Sequence, residues 1–284
     1  MNWSTELTAE RLTFIGPDAE GAPWIAGHQL WERRGALWAT VPVAEAEWNS
    51  VRPGPGDQLW AASLSGPIAF RNTSGWHASE PNGGQKGVDV AAFGDETWVT
   101  DTHNRIHRWR AETGWELWTP DALANHHTGV LWGAAADDVW VHVQPQATGR
   151  APEFGHWNGS RWRIESLQSK GYIAGMHGRS STDVWAAGWS SRWIGKSPLA
   201  AHWDGTQWTE VPLPTRHRLT SVHVQPDGTV WLAGFGGTLL RGNANGFTAL
   251  EAPEAHLNGV YSDGTRVWVL GEGTRVHVAE VPKD

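Results

Sequence analysis

A tryptophan followed by small or apolar residues, as in VWAAG at 184–188, recurs seven times in this chain of 284 residues. We call these tryptophans the anchors. Successive anchor tryptophans are 36, 38, 42, 45, 46 and 37 residues apart, and a chain closed on itself would add an interval of 40. The seven anchors are Trp24, Trp60, Trp98, Trp140, Trp185, Trp231 and Trp268. Because each unit of such an array must bury its apolar surface against its neighbours, the period constrains the fold more than any other feature.

Each unit contains four extended segments. An inner strand, such as residues 219–224 or 257–261, precedes the strand of the anchor, and a glycine-containing turn separates the third and fourth strands. The third strands are marked by Trp31, Phe70, Trp109, Trp157, Trp203 and Leu240, and the fourth by Trp38, Trp76, Trp115, Trp162, Trp208 and Phe247. Four short strands in a repeat of this length predict one blade of a β-propeller.

The seventh unit indicates how the array ends. After Trp268 only a third strand, residues 274–281, remains before the chain stops. The N-terminal residues 2–7 resemble the fourth strand at residues 207–211, with Trp3 in place of Trp208. We therefore predict an all-β fold: one closed seven-bladed β-propeller domain over residues 1–284, with four-stranded blades and with residues 2–7 completing the last blade.

Charge and composition exclude several partners. The formal net charge is −8, and lysine and arginine form no long run, which argues against nucleic acid and acidic membrane surfaces. The chain has no cysteine, so it cannot form a disulfide or a thiolate metal site. The N-terminus lacks a Sec-type signal, and no stretch approaches the length of a membrane-spanning helix. The expectation is a soluble, cytoplasmic protein without membrane insertion.

Three strings carry a family resemblance: DVWAAG at 183–188, HWDGTQWTEV at 202–211 and HWNGSRWRIESL at 156–167. They resemble the tryptophan-rich propeller repeats of myxobacterial and related bacterial proteins, in which a DVWAVG strand is followed by HWDGxxW. The resemblance implies the fold and no activity, because such repeats occur in many proteins of unknown role. A weaker likeness to Asp-box propellers rests on the Asp-Gly-x-x-Trp turn, and no functional residue is carried over from either group.

Two connections between second and third strands are longer than the others, after Trp140 and after Trp185. Extra loops on a rigid scaffold often carry function. The connection after Trp185 offers two flat rings and two cations suited to a sugar, an aromatic group or a carboxylate. The candidate ligand-binding residues are Trp189, Arg192, Trp193 and Lys196, with Arg150, Glu153 and Phe154 from the other connection. The alternative is that these loops cover each other or pack in an oligomer.

Histidines near the inner strands suggest a second reading. Inner strands line the channel of a propeller, so distant histidines can converge on a transition metal there. The candidate ligands are His127, His177, His223 and His256. However, His177 and His223 match Trp132 in the preceding unit, which favours packing over ligation. We therefore expect no cofactor, with a channel metal as the alternative.

The sequence favours a binding protein that holds a glycan, peptide or protein partner on its loop face and channel mouth. The residues expected to ring that mouth are Arg11, Lys86, His127, Arg218 and His256. Motifs of serine hydrolases, zinc proteases and P-loop proteins are absent. Two alternatives stay open: a metal-dependent lyase, hydrolase or oxidase with a histidine-lined axial site, and a structural scaffold.

Overall fold

The structure is a computed structural model that describes residues 1–43, 46–54, 58–79, 81, 86–123, 125–145, 151–191 and 196–282. The first half of the strands comprises β1 (Ser4–Thr8), β2 (Phe14–Pro17), β3 (Pro23–Ala26), β4 (Leu30–Arg34), β5 (Leu37–Thr40), β6 (Trp48–Pro53), β7 (Leu59–Ser63), β8 (Ile68–Asn72), β9 (Gly75–Ser79), β10 (Gly87–Phe93), β11 (Glu96–Asp101), β12 (Ile106–Arg110), β13 (Gly114–Leu117) and β14 (His126–Ala135). The second half comprises β15 (Asp138–Pro145), β16 (Glu153–Trp157), β17 (Trp162–Ser166), β18 (Gly171–Ser180), β19 (Asp183–Ser191), β20 (Lys196–Trp203), β21 (Trp208–Glu210), β22 (Leu219–Val224), β23 (Val230–Gly234), β24 (Leu239–Asn243), β25 (Gly246–Ala249), β26 (Leu257–Ser262), β27 (Arg266–Gly271) and β28 (Arg275–Glu280). A single 3-10 turn at Asp121–Leu123 is the helical element of the described ranges, and no helix there is long and apolar enough to cross a membrane.

The strands form seven four-stranded antiparallel sheets over the described part of the chain. Blades 1 to 6 are the consecutive sheets β2–β5, β6–β9, β10–β13, β14–β17, β18–β21 and β22–β25, and blade 7 is β26–β27–β28 with β1 at its edge. The chain is a seven-bladed β-propeller, as the repeat predicts. One compact unit holds blades 1 to 3 and most of blade 4, and a second holds blades 5 to 7.

The N-terminal strand completes blade 7 as predicted. Strand β1 pairs antiparallel with β28, with Ser4 opposite Val278. The indole of Trp3 donates to the carbonyl of Glu251 at 3.0 Å, and the Trp268 indole donates to the Glu6 carboxylate at 3.2 Å. Hydrogen bonds therefore join the first and last segments of the chain within one sheet.

The anchor tryptophans are the largest core residues. All seven are at most 1% exposed. Trp185 packs with Leu219 and Val222 of blade 6, and Trp231 packs with Leu257 of blade 7. The same arrangement joins blades 1 to 4, because each anchor contacts apolar residues of the following blade. The tryptophan repeat thus encodes contacts between neighbouring blades.

The hairpin tips use aspartate or asparagine as local acceptors. The Asp204 carboxylate accepts hydrogen bonds from the Thr206 hydroxyl and from the amides of Thr206 and Gln207, and Gly205 has a φ of +94°. These hydrogen bonds, first that of the Thr206 hydroxyl, lower the Asp204 pKa to about 2. Asp263 and Asn158 form the same turn. The Asp-Gly pairs therefore serve turn geometry.

Candidate binding face

In blades 5 to 7, the inner strands begin and the second strands end at one edge of each sheet, here called the loop face. Five side chains meet there in a continuous row that we call the aromatic arc. The arc consists of Tyr172, Trp189, Arg218, Phe235 and His256. Because blades 5 to 7 belong to one compact unit, the arc lies within a single folded body.

Successive members of the arc touch one another. The Tyr172 and Trp189 rings lie 4.8 Å apart between centroids. The Arg218 guanidinium carbon lies 5.6 Å from the Trp189 centroid and 3.5 Å from that of Phe235, and the Phe235 ring lies 4.5 Å from His256. Tyr172 is 41% exposed and His256 is also exposed, while the three residues between them are half-buried. The arc therefore offers aromatic faces around one cation to solvent.

Two glycines fix the backbone of the arc. A Cβ added to Gly188 would fall on the carbonyl oxygen of Tyr172, and one added to Gly234 would fall on that of Arg218. The Phe235 amide donates to the Arg218 carbonyl at 3.0 Å. The glycine that ends the repeated segment thus lets the second strand approach the start of the inner strand closely. The aromatic residue that follows each glycine is held beside that contact.

A cleft of about 690 Å³ lies beside the arc. Its lining residues are Ser197, Pro198, Leu199, Ala200, Glu210, Val211, Pro212, Leu213, Thr215 and Arg216. Pro198 stands opposite Trp189 in the β19–β20 ladder, which joins the cleft to the arc. Strand β21 pairs with β20 over Ala201–Trp203, and the Val211 amide donates to the Ala200 carbonyl at 2.9 Å, so β20 extends beyond its outer neighbour only before Ala200.

Two carboxylates near this face are already engaged, while a third, that of the exposed Glu272, stands beside His256, whose carbonyl accepts from the Glu272 amide at 2.8 Å. Glu254 accepts hydrogen bonds from Arg275 at 2.6 Å and from His277 at 3.2 Å. These two bonds, that of Arg275 first, lower the Glu254 pKa. Glu210 accepts from the amide and hydroxyl of Ser169 at 2.8 and 2.7 Å. Desolvation raises the pKa of the Tyr172 hydroxyl, so this group stays neutral at physiological pH.

Two of the predicted ligand-binding residues, Trp189 and Arg218, come together in the arc with His256, which was expected beside Arg218 at the channel mouth. The prediction that Trp189 lies in a loop is wrong, because β19 continues to Ser191 and Trp189 pairs with Tyr172 within the sheet. Lys196 is the first residue of β20. Three more candidates, Arg150, Arg192 and Trp193, lie outside the described residues.

Phe154 does not belong to an exposed binding loop. It lies in β16, is fully buried and packs edge-on against Trp140 with centroids 6.4 Å apart. Its neighbour Glu153 begins the same strand and is half-buried. The sequence places Phe154 in the long connection, whereas the structure places it in β16, inside the core of the blade.

The cations expected at the channel mouth lie ahead of inner strands. Arg11 precedes β2, is exposed and has a φ of +50°. Lys86 directly precedes β10, is exposed, and accepts a hydrogen bond from the Thr102 amide through its carbonyl at 3.1 Å. His127 is exposed near the start of β14.

The candidate metal-ligating histidines link blades. The rings of His177 and His223 pack at an angle of 43° with centroids 4.9 Å apart. The Nδ1 atom of His177 accepts from the Val224 amide at 3.1 Å, and Nε2 of His223 donates to the Ser262 carbonyl at 3.0 Å. Among the described residues, no three histidine, aspartate or glutamate side chains are grouped so as to hold a metal ion.

The sequence analysis missed Tyr172 and Phe235. Phe235 stands four residues after the anchor Trp231, as Trp189 does after Trp185, and a glycine precedes each of them. The equivalent residues of the other units are His28, Leu64, Thr102, Gln144 and Glu272. An alignment of the units at this position would therefore have selected blades 5 and 6.

No protein-family model matches the sequence, and no curated protein matches it significantly. Solved structures do resemble it. Virginiamycin B lyase from Staphylococcus aureus, a catalytically inactive variant solved with quinupristin, superposes with a TM-score of 0.78 at 12% identity, over 99% of each chain. YCF48 from Cyanidioschyzon merolae gives 0.71 at 15% identity over 98% of each chain, and YCF48 has also been solved with D1 peptide bound. The WD40 β-propeller domain of Doa1 gives 0.69 at 10% identity over 98% of this chain and 97% of its own. At these identities, what this chain shares with the three proteins is the propeller fold.

Proposed function

We propose that this propeller is a binding module that holds an extended peptide segment of a partner protein against the aromatic arc and the adjoining cleft. The observation that carries the proposal is the unbroken row from Tyr172 to His256. Tyrosine, tryptophan and arginine are the residue types that dominate binding energy at protein interfaces. A contiguous row of them, exposed at both ends and half-buried between, is typical of a recognition surface on a β scaffold.

The cleft supports a peptide as the ligand. Its lining mixes apolar residues, among them Pro198, Val211 and Pro212, with polar ones, which are Ser197, Glu210, Thr215 and Arg216. A mixed lining suits an extended chain whose apolar and polar side chains alternate. Strand β20 extends before Ala200 without an outer neighbour among the described residues, and this edge suits an extended peptide laid beside it. Among proteins of similar fold, YCF48 has been solved with a peptide bound.

A glycan is less favoured by the geometry. Sugar rings stack on an open indole face, whereas the Trp189 ring already lies against Tyr172 and near Arg218. A metal-dependent enzyme is also less favoured, because His177 and His223 use ring nitrogens for hydrogen bonds between blades, and His256 packs on Phe235.

The test selects peptides from a randomised library displayed on phage, with the full chain as bait. The selected peptides are then measured against Tyr172→Ala, Trp189→Ala and a control, Leu37→Ala, in which an exposed leucine of β5 is shortened. Losing one buried aromatic contact should weaken binding by about 2 kcal/mol or more, while the control stays unchanged. Failure to select any peptide, or binding that is indifferent to both arc variants, would contradict the proposal.

A further inference from the structure

Arg218 is held rigidly at the centre of the arc. Its guanidinium carbon lies 3.5 Å from the centroid of the Phe235 ring and 5.6 Å from that of the Trp189 ring. Its carbonyl is fixed by the Phe235 amide, and Leu219, the next residue, is fully buried. The orientation of this side chain is therefore set before any ligand arrives.

Arg218 shares with Arg52, which lies over the Phe14 ring at 4.2 Å, the lack of a carboxylate within ion-pair distance among the described residues. Three other ring-packed arginines each also pair with a carboxylate. They are Arg108 on Trp118 with Glu116, Arg71 on Trp24 with Glu32, and Arg266 on Trp268 with Asp263. No described residue supplies Arg218 with a carboxylate or another hydrogen-bond acceptor for its guanidinium. Its five N–H donors are therefore oriented by the rings without an acceptor from the described fold.

The charge around Arg218 is locally positive in a chain of net charge −8. Arg216 and His217 are exposed just before it, and the exposed Lys170 precedes β18 on the same face. Two nearby acids, Glu254 and Glu210, are held by partners of their own, and the exposed Glu272 lies at the far end of the arc, beside His256. An anionic group is therefore attracted to Arg218 and repelled by the net negative charge of the rest of the chain.

We infer that the peptide recognised by the arc carries an aspartate or glutamate whose carboxylate pairs with the Arg218 guanidinium, with an apolar or aromatic neighbour packed on Tyr172 and Trp189. This inference rests on the proposed function and names the chemistry of its ligand. A carboxylate matches the fork of one guanidinium with two parallel hydrogen bonds. Phosphopeptides are commonly held by clusters of arginines, whereas one arginine occupies the arc.

The test uses two matched probes, acetyl-Phe-Glu-amide and acetyl-Phe-Gln-amide, titrated into the ¹⁵N-labelled full chain. The reporter is the Trp189 indole N–H resonance, identified by its disappearance in Trp189→Phe. We expect the glutamate probe to bind roughly tenfold more tightly than the glutamine probe, as a hydrogen bond to a charged group requires. Arg218→Gln should remove that difference, and Arg218→Lys should retain part of it because the charge remains without the fork.

The control is Arg163→Gln, which removes an equal charge from an exposed residue of β17. It should leave the preference for glutamate intact, and circular dichroism should show each variant to be folded. Equal affinity for the two probes, or an unchanged preference in Arg218→Gln, would overturn the inference. Phage-selected peptides that need Trp189 but lack acidic residues would overturn it too while leaving the proposed function standing. Failure of the library to give any peptide dependent on the arc would instead overturn the proposed function.

Discussion

The Trp185 indole and the His202 imidazole stack in blade 5 with ring centroids 4.5 Å apart, and both donate a hydrogen bond to the same carboxylate oxygen of Asp183, at 3.0 and 2.8 Å. In blade 4, His156 stacks on Trp140 at 3.8 Å and pairs with Asp138. The Asp-Val-Trp and His-Trp strings are therefore two halves of one structural group. An Asp–His pair of this kind orients a core tryptophan and needs no catalytic role.

Removal of the shared acceptor should destabilise blade 5. Asp183→Ala leaves two partly buried donors without their acceptor, and we expect the free energy of unfolding to fall by about 2–4 kcal/mol. Asp183→Asn keeps an oxygen at this position and should cost less. Urea unfolding measures both. Glu112→Ala, at an exposed turn, is the control and should change stability by under ~0.5 kcal/mol, and equal losses at the two sites would contradict the account.

The hydrogen bond that ties the N-terminal strand to blade 7 can be tested by replacing its acceptor, Glu6, with glutamine, the acceptor of the equivalent indole in two other blades. Glu6 accepts from the Trp268 indole, whereas Gln58 and Gln225 accept from the Trp60 and Trp231 indoles. Glu6→Ala should therefore lower the free energy of unfolding by about 1–2 kcal/mol, and Glu6→Gln should change it little. If Gln proves as damaging as Ala in urea unfolding, the hydrogen bond to Trp268 is not what Glu6 contributes.

The glycine beside Trp189 should be essential to the arc. In Gly188→Ala the new methyl group meets the Tyr172 carbonyl, so we expect a loss of about 1–3 kcal/mol in stability together with weaker peptide binding. Gly175→Ala is the matched control in the same blade, because its Cβ would lie 3.4 Å from Ser221, an ordinary contact. Thermal unfolding and peptide titration of both variants test this prediction. Equal losses of stability and of peptide binding in Gly188→Ala and Gly175→Ala would contradict the role given to the close contact between Gly188 and Tyr172.

Buried His142 predicts a specific pH dependence. It is 1% exposed, and desolvation lowers its pKa from 6.5 to about 4. In the unfolded chain the His142 imidazole binds a proton below pH 6.5, whereas in the folded chain it does so only below about pH 4. Its contribution to stability is thus fully present above pH 6.5 and is lost as the pH falls toward 4, by up to about 3 kcal/mol.

His142→Gln isolates this effect. Urea unfolding of both proteins between pH 7 and pH 4 should show the wild-type chain losing stability more steeply than the variant. Carboxylates with lowered pKa values, such as Glu254, act at more acidic pH and are common to both proteins. Parallel pH profiles would show that His142 is not the neutral buried group described here.

The repeat predicted the blades because their contacts are periodic. Trp24, Trp60, Trp98, Trp185 and Trp231 recur because the blade interfaces within each compact unit use the same ring. Residues 2–7 could be matched to residues 207–211 because both segments contain the fourth strand of a blade. Three members of the arc, Trp189, Arg218 and His256, could be named from the sequence. Tyr172 and Phe235 could not, because the close approach of second and inner strands at Gly188 and Gly234 sets Tyr172 beside Trp189 in blade 5 and Phe235 beside Arg218 in blade 6, which no single stretch of sequence displays. Phe154 was misplaced because strand β16 begins at Glu153, earlier than its third-strand marker Trp157 suggested.

The location of bound peptide tests the central proposal most directly. Hydrogen–deuterium exchange of the full chain, with and without a phage-selected peptide, reports which amides become protected. The account predicts protection at residues 171–173, 188–191, 197–200, 211–219, 234–236 and 255–257, on the loop face of blades 5 to 7 and in the adjoining cleft. Protection confined to the hairpin tips at 181–182 and 204–207, or to blades 1 to 3, would contradict it.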